Sequence, residues 1–306
     1  MLPAEMPAGK SHKGAPAADP AIGGDRIGAL PDEILHRILS FLPAQQAVRT
    51  CVLARRWIHL WKYATGLRIV GADGNAPVPF EEVHEFVDSL LLLRGSSPLE
   101  TFDVRVAGAA VDVRHLTLWV RYGMICNVQV LRLEVHGNAP ALLRFEDPPL
   151  ASRHLTKLEL RGLAFNKDFL DFSRCPAIQD LIIKECSFKH AERILSQSLK
   201  HINIFIFRRD LKCCPTFSRL KNLVLFECYV PALACILEHS PVLEILKIYA
   251  LLLEKGCKIN VEMSGRFNPG ELPSTISPHL KRVKVCCGTV DKTVLEVLEF
   301  LSRFNI

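Results

Sequence analysis

From residue 99 onward one spacing recurs, and it limits what this chain can fold into more than any other feature. Ile178-x-x-Leu181-x-Ile183-x-x-Cys186-x-Phe188 and Leu220-x-x-Leu223-x-Leu225-x-x-Cys228-x-Val230 match one template at every fixed position. Looser copies begin at Leu99, Val128, Leu155, Leu199, Leu243 and Leu280. The eight start points, 99, 128, 155, 178, 199, 220, 243 and 280, lie 29, 27, 23, 21, 21, 23 and 37 residues apart. Within each copy apolar and mostly polar residues alternate, which is the pattern of a half-buried strand. One such strand cannot bury its apolar face alone, whereas stacked neighbours bury a continuous core. Short helical stretches are expected between the strands, such as His190 to Leu195, Pro231 to Glu238 and Asp291 to Phe304, giving strand plus helix per repeat. The last gap holds a Gly/Pro-containing insertion, Gly256 to Pro278.

The rest of the chain reads differently. Residues 1–24 are rich in Ala, Pro and Gly with almost no large apolar residue, which predicts a disordered tail. From Asp25 to about Tyr63 the pattern is helical. Ile34, Leu35, Ile38, Leu39 and Leu42 fall on one face, Pro31 stands near the first turn and Pro43 ends the helix. A second helical stretch carries Val48, Cys51, Val52, Arg55, Trp57 and Trp61. Residues 66–80, with Gly66, Gly71, Gly74, Pro77 and Pro79, read as a loop. Glu81 to Arg94 reads as an amphipathic helix with Val83, Phe86, Val87, Leu90 and Leu91 inward.

Hydrophobic residues make up 49% of the 306, enough for a sizeable core. The net charge of +6 is spread along the chain, without the block of like charges that marks a nucleic-acid arm or a membrane patch. No nucleic acid and no membrane is therefore expected as a partner. The 11 cysteines follow an N-terminus without an apolar secretion signal, so reduced thiols are expected. None is spaced Cys-x-x-Cys, and the adjacent pairs Cys213–Cys214 and Cys286–Cys287 suit one tetrahedral zinc poorly. No phosphate-cradling glycine loop, H-E-x-x-H or G-x-S-x-G is present, and the 11 histidines are scattered. No enzyme, catalytic residue, cofactor or metal is expected.

The string Asp25-Arg26-Ile27-Gly28-Ala29-Leu30-Pro31-Asp32-Glu33-Ile34-Leu35-His36-Arg37-Ile38-Leu39-Ser40-Phe41-Leu42-Pro43 resembles the first half of a plant F-box. Ala47-Val48-Arg49-Thr50-Cys51-Val52-Leu53-Ala54-Arg55-Arg56-Trp57, followed by Leu60-Trp61, resembles the second half. The downstream spacing is that of a leucine-rich repeat. With the segment Leu280-Lys281-Arg282-Val283-Lys284-Val285, the whole is similar to plant F-box/leucine-rich-repeat proteins, including those with an FBD-like end. One departure is the position where many repeats carry asparagine: Cys186, Cys228, Leu163, Leu251 and Gly288 stand there instead, which predicts an irregular array.

The resemblance implies an α/β chain with an all-helical F-box at 25–65, a linker and helix at 66–98, and a leucine-rich-repeat solenoid with a curved parallel sheet at 99–306. It also implies a substrate-recognition subunit of a Skp–cullin–F-box ubiquitin ligase in the nucleus and/or cytoplasm, acting by proximity rather than by its own nucleophile. The partners would be a Skp-type adaptor, through it a cullin, and an unknown protein substrate. Leu30, Pro31, Ile34, Leu35, Ile38 and Leu39 are the expected adaptor-binding residues, because an apolar helix face on so small a module usually meets a partner. Trp57, Leu60 and Trp61 are expected to hold the helices together or against the repeats.

The expected substrate surface follows from alternation along each strand. Arg161, Lys184, Phe205, Phe226, Tyr249 and Cys286 share one register row, and Glu159, Ile182, Asn203, Val224, Lys247 and Lys284 the next. From these, Arg161, Lys184, Phe205, Phe226, Tyr249 and Lys247 form a candidate substrate-binding surface. Two other functions fit the same sequence: a repeat scaffold without ligase engagement, and a small-molecule co-receptor.

Overall fold

Each of the eight copies of the spacing contributes one strand to a single sheet. The computed structural model describes residues 27–137, 141–143, 150–165, 170–186, 194–205, 217–226, 230–249, 259–264, 277–287 and 292–302. The expected tail at 1–24 lies outside them.

At the N-terminal end, α1 (Asp32–Leu39) follows Pro31, and α2 (Ala44–Arg49) follows Pro43. Three short 3-10 turns complete the helical region, at Thr50–Val52, Arg55–Ile58 and Leu60–Tyr63. Proline is well placed immediately ahead of a helix, where the chain has no helical N–H to satisfy. Trp57, Leu60 and Trp61 are buried with Leu35 and Leu39, as the two expected roles for these residues require.

Residues 66–80 are not simply a loop. β1 (Gly66–Ile69) and β2 (Val78–Pro79) both pair in parallel with β3 (Thr101–Ala107). Leu67 and Ile69 alternate with Arg68, but that pattern covers too few residues to be read as a strand amid so many glycines and prolines. α3 (Phe80–Arg94) follows as expected, burying Val83, Val87, Leu90 and Leu91, with Phe86 partly buried. A helix not singled out in the sequence, α4 (Val113–Ile125), comes after β3 and buries Leu116, Trp119 and Val120. The Asp112 carboxylate caps it by accepting from the Arg114 N–H at 2.9 Å.

The remaining strands are β4 (Val130–His136), β5 (Ala141–Leu143), β6 (Lys157–Arg161), β7 (Leu163–Phe165), β8 (Asp180–Lys184), β9 (His201–Phe205), β10 (Asn222–Phe226), β11 (Ile245–Tyr249), β12 (Ile259–Ser264) and β13 (Arg282–Cys287). One sheet runs β1-β3-β4-β6-β8-β9-β10-β11-β13-β12, with β2 on β3. Every pairing in it is parallel except β12 on β13. β12 lies within the expected insertion, so the insertion supplies an antiparallel edge strand. β5 and β7 form a separate parallel pair. α5 (Val230–Glu238) and α6 (Lys292–Ser302) match the described parts of two expected helices. Of the third, Ile194 and Leu195 are not helical, Leu195 instead bridging to Asp171, and 190–193 lie outside the described residues.

The strand register lines up the template positions. Phe102, Leu131, Leu158, Leu181, Ile202, Leu223, Leu246 and Val283 stand opposite one another and are all buried. So are Val104, Leu133, Leu160, Ile183, Ile204, Leu225, Ile248 and Val285 in the next inward row. At about 1.5–3 kcal/mol for each large apolar side chain taken from water, these rows dominate the stability of the sheet. The core continues without a break into the N-terminal helices.

The turns before the strands are held by small buried polar groups three residues ahead of the first template leucine. Ser152 Oγ accepts from the Leu155 N–H at 3.1 Å, and Ser196 Oγ from the Leu199 N–H at 3.3 Å. Ser277 Oγ accepts from the His279 N–H at 3.2 Å and donates to the Pro241 carbonyl at 2.8 Å. Cys175 Sγ donates to the Leu150 carbonyl at 3.1 Å. Backbone groups buried at these turns thus find partners without asparagine.

Candidate functional site: two protein-binding surfaces

The first surface is on the helical end. α1 splits its apolar residues between two sides. Leu35 and Leu39 are 0% and 1% exposed and pack inward, while Ile34 and Ile38 are 45% and 41% exposed. Pro31 is exposed and Leu30 half-buried. The six expected adaptor residues therefore divide: Leu30, Pro31, Ile34 and Ile38 reach the surface, and Leu35 and Leu39 do not. Helical spacing put all six in one string, but positions 35 and 39 are one turn apart on the side that faces the Leu60–Tyr63 turn. Sequence reasoning missed Phe41 and Val52, which are 65% and 82% exposed, and the exposed Leu53 and Ile58. Their signal was present: large apolar residues in a module too small to cover them all.

Arg56 fixes the approach to α1. Its guanidinium bonds the Asp32 carboxylate at 2.9 Å through Nε and donates to the carbonyls of Gly28 and Leu30. Gly66 lies so close to α1 that a Cβ there would meet the Ser40 carbonyl oxygen at 2.6 Å. Arg68 Nη1 donates to the Phe41 carbonyl at 2.7 Å. Arg94, itself buried, donates to the carbonyls of Ala64 and Ser97 at 2.8 and 2.7 Å and reaches Tyr122 Oη at 3.1 Å. The helical end is thereby tied to the sheet through backbone carbonyls.

The second surface is the side of the sheet opposite the core rows. The two outward rows expected from the sequence are in register: Glu159, Ile182, Asn203, Val224, Lys247 and Lys284 stand side by side, as do Arg161 with Lys184 and Phe226 with Phe205 and Tyr249. The described side chains in them are half-buried, apart from Glu159 and Cys286, which are buried. Cys286 lies where β12 closes the sheet edge, with Asn260 opposite, so it does not extend the surface. Phe205 has its expected backbone position, and its side chain lies outside the described residues.

The rows have two halves of different chemistry. Between β1 and β8 the charges neutralise one another across strands. Asp103 is buried among Arg105 at 3.0 Å, Arg68 at 3.8 Å and Arg132 at 3.9 Å. Glu159 takes Arg132 at 3.2 Å and Lys184 at 2.8 Å. Burial alone would push the Glu159 carboxyl up, but the Lys184 hydrogen bond and the charges of Lys184 and Arg132 outweigh it and hold the carboxyl below its usual range. Arg161 pairs with Glu185 at 2.8 Å. Arg161 and Lys184 are thus each paired with a carboxylate within the molecule. Beyond β8 the face turns apolar and cationic, with the Phe226 and Tyr249 rings stacked at 4.5 Å and 8°.

Burial pushes the Cys186 thiol up to about 12, and Cys175 is likewise raised by burial, so neither sulfur is a thiolate near neutral pH. Among the described residues no group of three or more His, Cys, Asp or Glu side chains could hold a metal ion. No described helix is long and apolar enough to cross a membrane.

Residues 27–65 match the F-box domain model, and the helical end is an F-box domain. The chain is similar to plant proteins of that kind. An F-box/LRR-repeat protein of Arabidopsis thaliana is 39% identical over 113 residues, covering 34% of this chain and 17% of the relative. An FBD-associated F-box protein of the same plant is 34% identical over 184 residues, 52% of this chain and 45% of the relative. Another is 27% identical over 280 residues, 87% of this chain and 60% of the relative. Among these three, the matched segments span 17% to 60% of the relatives' own lengths. The resemblance read from the F-box string and the repeat spacing is borne out by these matches.

Proposed function

We propose that this chain is a substrate-recognition subunit of a Skp–cullin–F-box ubiquitin ligase. The F-box docks a Skp-type adaptor through Leu30, Pro31, Ile34 and Ile38, joined by Phe41 and Val52, and the adaptor links it to a cullin. The parallel sheet is the inner face of a leucine-rich-repeat solenoid whose outward rows hold a protein substrate. The reading also places it in the nucleus and/or cytoplasm. What carries the proposal is the exposure of large apolar residues on a domain of this family, since such a patch on a soluble surface is costly unless a partner covers it. The chain itself is not an enzyme: it raises the local concentration of substrate lysines near a charged ubiquitin thioester held elsewhere in the complex.

The test is reconstitution. Purified alone with ubiquitin, activating and conjugating enzymes, the chain forms no thioester. Assembled with adaptor, cullin and RING subunit, it directs ubiquitin onto a captured protein. A ubiquitin thioester on one of its own cysteines would overturn the proposal.

A further inference from the structure

The outward face of the sheet is uneven in charge, and the unevenness specifies what it can hold. The outward positions of β9, β10, β11 and β13 hold His201, Asn203, Phe205, Asn222, Val224, Phe226, Ile245, Lys247, Tyr249, Arg282, Lys284 and Cys286. Three of these are cations and none is a carboxylate. On β3 to β8, by contrast, Asp103, Glu134, Glu159 and Asp180 are interleaved with basic residues, and each of these carboxylates has an arginine, lysine or histidine partner inside the molecule. Lys247 has no carboxylate partner among the described residues, and Glu262 on β12 stands opposite Lys284 at the edge. Beside Lys247 the stacked Phe226 and Tyr249 rings remain half-buried instead of joining the core.

From this we infer that the β9–β13 half of the face binds a short, extended, acidic peptide segment carrying an apolar or aromatic side chain. A carboxylate of the segment pairs with Lys247, and its flat side chain lies against Phe226 and Tyr249. Strands lie about 4.8 Å apart, so the four strands span about 14 Å, the reach of about four extended residues. Complementary charge sets the approach of the partner, and the aromatic pair supplies desolvated contact area. The inference rests on the substrate-receptor reading and names the class of substrate feature that the receptor would read.

The test uses the full-length chain and two fluorescein-labelled twelve-residue peptides. One is built of Glu and Asp around a central Trp; the other carries Gln and Asn in their place. Fluorescence anisotropy is expected to show the acidic peptide binding at least tenfold tighter than its neutral counterpart. Phe226→Ala and Lys247→Glu are each expected to weaken it tenfold or more. Lys221→Glu, at an exposed ion pair with Glu244 away from the aromatic pair, is expected to leave it unchanged. Circular dichroism confirms that each variant is folded, and adaptor binding is read in parallel. Failure of the acidic peptide to bind, equal binding of the neutral peptide, or equal weakening by Lys221→Glu overturns the inference. Adaptor binding without peptide binding removes this inference and leaves the receptor reading; peptide binding without adaptor binding does the reverse.

Discussion

At the scale of single residues, backbone conformation and buried charge are where the fold is most exacting. Gly162 adopts φ +68°, and a Cβ there would lie 1.9 Å from the Val135 carbonyl oxygen. Glu185, at the corresponding point after β8, also has positive φ, at 51°. The left-handed turn is tolerated there by a side chain that pairs with Arg161, whereas at Gly162 the neighbouring strand leaves no room. Gly162→Ala should therefore destabilise the protein by about 2 kcal/mol or more, since the left-handed penalty adds to an overpacking strain, read as a shift in the urea midpoint. A change below ~0.5 kcal/mol would show that the close approach is not maintained. Glu159 gives a pH-dependent prediction. Its carboxyl is held below the usual range in the folded state, so its contribution is present above the ordinary glutamate range and fades as pH falls through the folded value. Glu159→Gln should cost about 2 kcal/mol at pH 7, a charge-assisted bond lost to Lys184, and the gap from the native protein should close in acid. A gap that is unchanged at pH 3 would contradict this.

At the scale of elements, α1 divides its apolar residues between a buried side and an exposed one. Leu35→Ala should cost about 2–5 kcal/mol of stability, because the site is fully buried. Ile38→Ala should leave stability within about 0.5 kcal/mol and weaken the adaptor complex instead, which parallel unfolding and binding titrations would separate. The repeat phasing was legible because every copy places its apolar residues at fixed offsets, and the register rows came out as expected from alternation alone. The strand at Gly66–Ile69 was not legible, since four residues carry too little period to outweigh the surrounding glycine and proline. Nor was α4, whose sequence lies in a gap between two copies and carries none of the template. The turn-holding Ser152, Ser196 and Ser277 had a readable signal, a small polar residue three places before each leucine, which only gains meaning once those turns are known to be buried. On the surface, the buried face of α1 could not be told from the exposed one, because five apolar positions at helical spacing are consistent with either.

At the scale of the whole molecule, the F-box and the sheet share one core, and Arg94 and Arg68 bind backbone carbonyls across their junction. Under the proposed function, that junction would set where a protein held on the sheet stands relative to the adaptor, as catalysis by proximity requires. Calorimetric titration of the full-length chain with a purified Skp-type adaptor tests the central claim most directly, comparing the native sequence with the Ile34→Asp, Ile38→Asp double variant. The native chain is expected to form a one-to-one complex, and the folded double variant to bind at least ~30-fold more weakly, corresponding to about 2 kcal/mol of lost contact. A native chain that gives no binding heat and no co-elution with the adaptor, or a double variant that binds as tightly as the native chain, would contradict it.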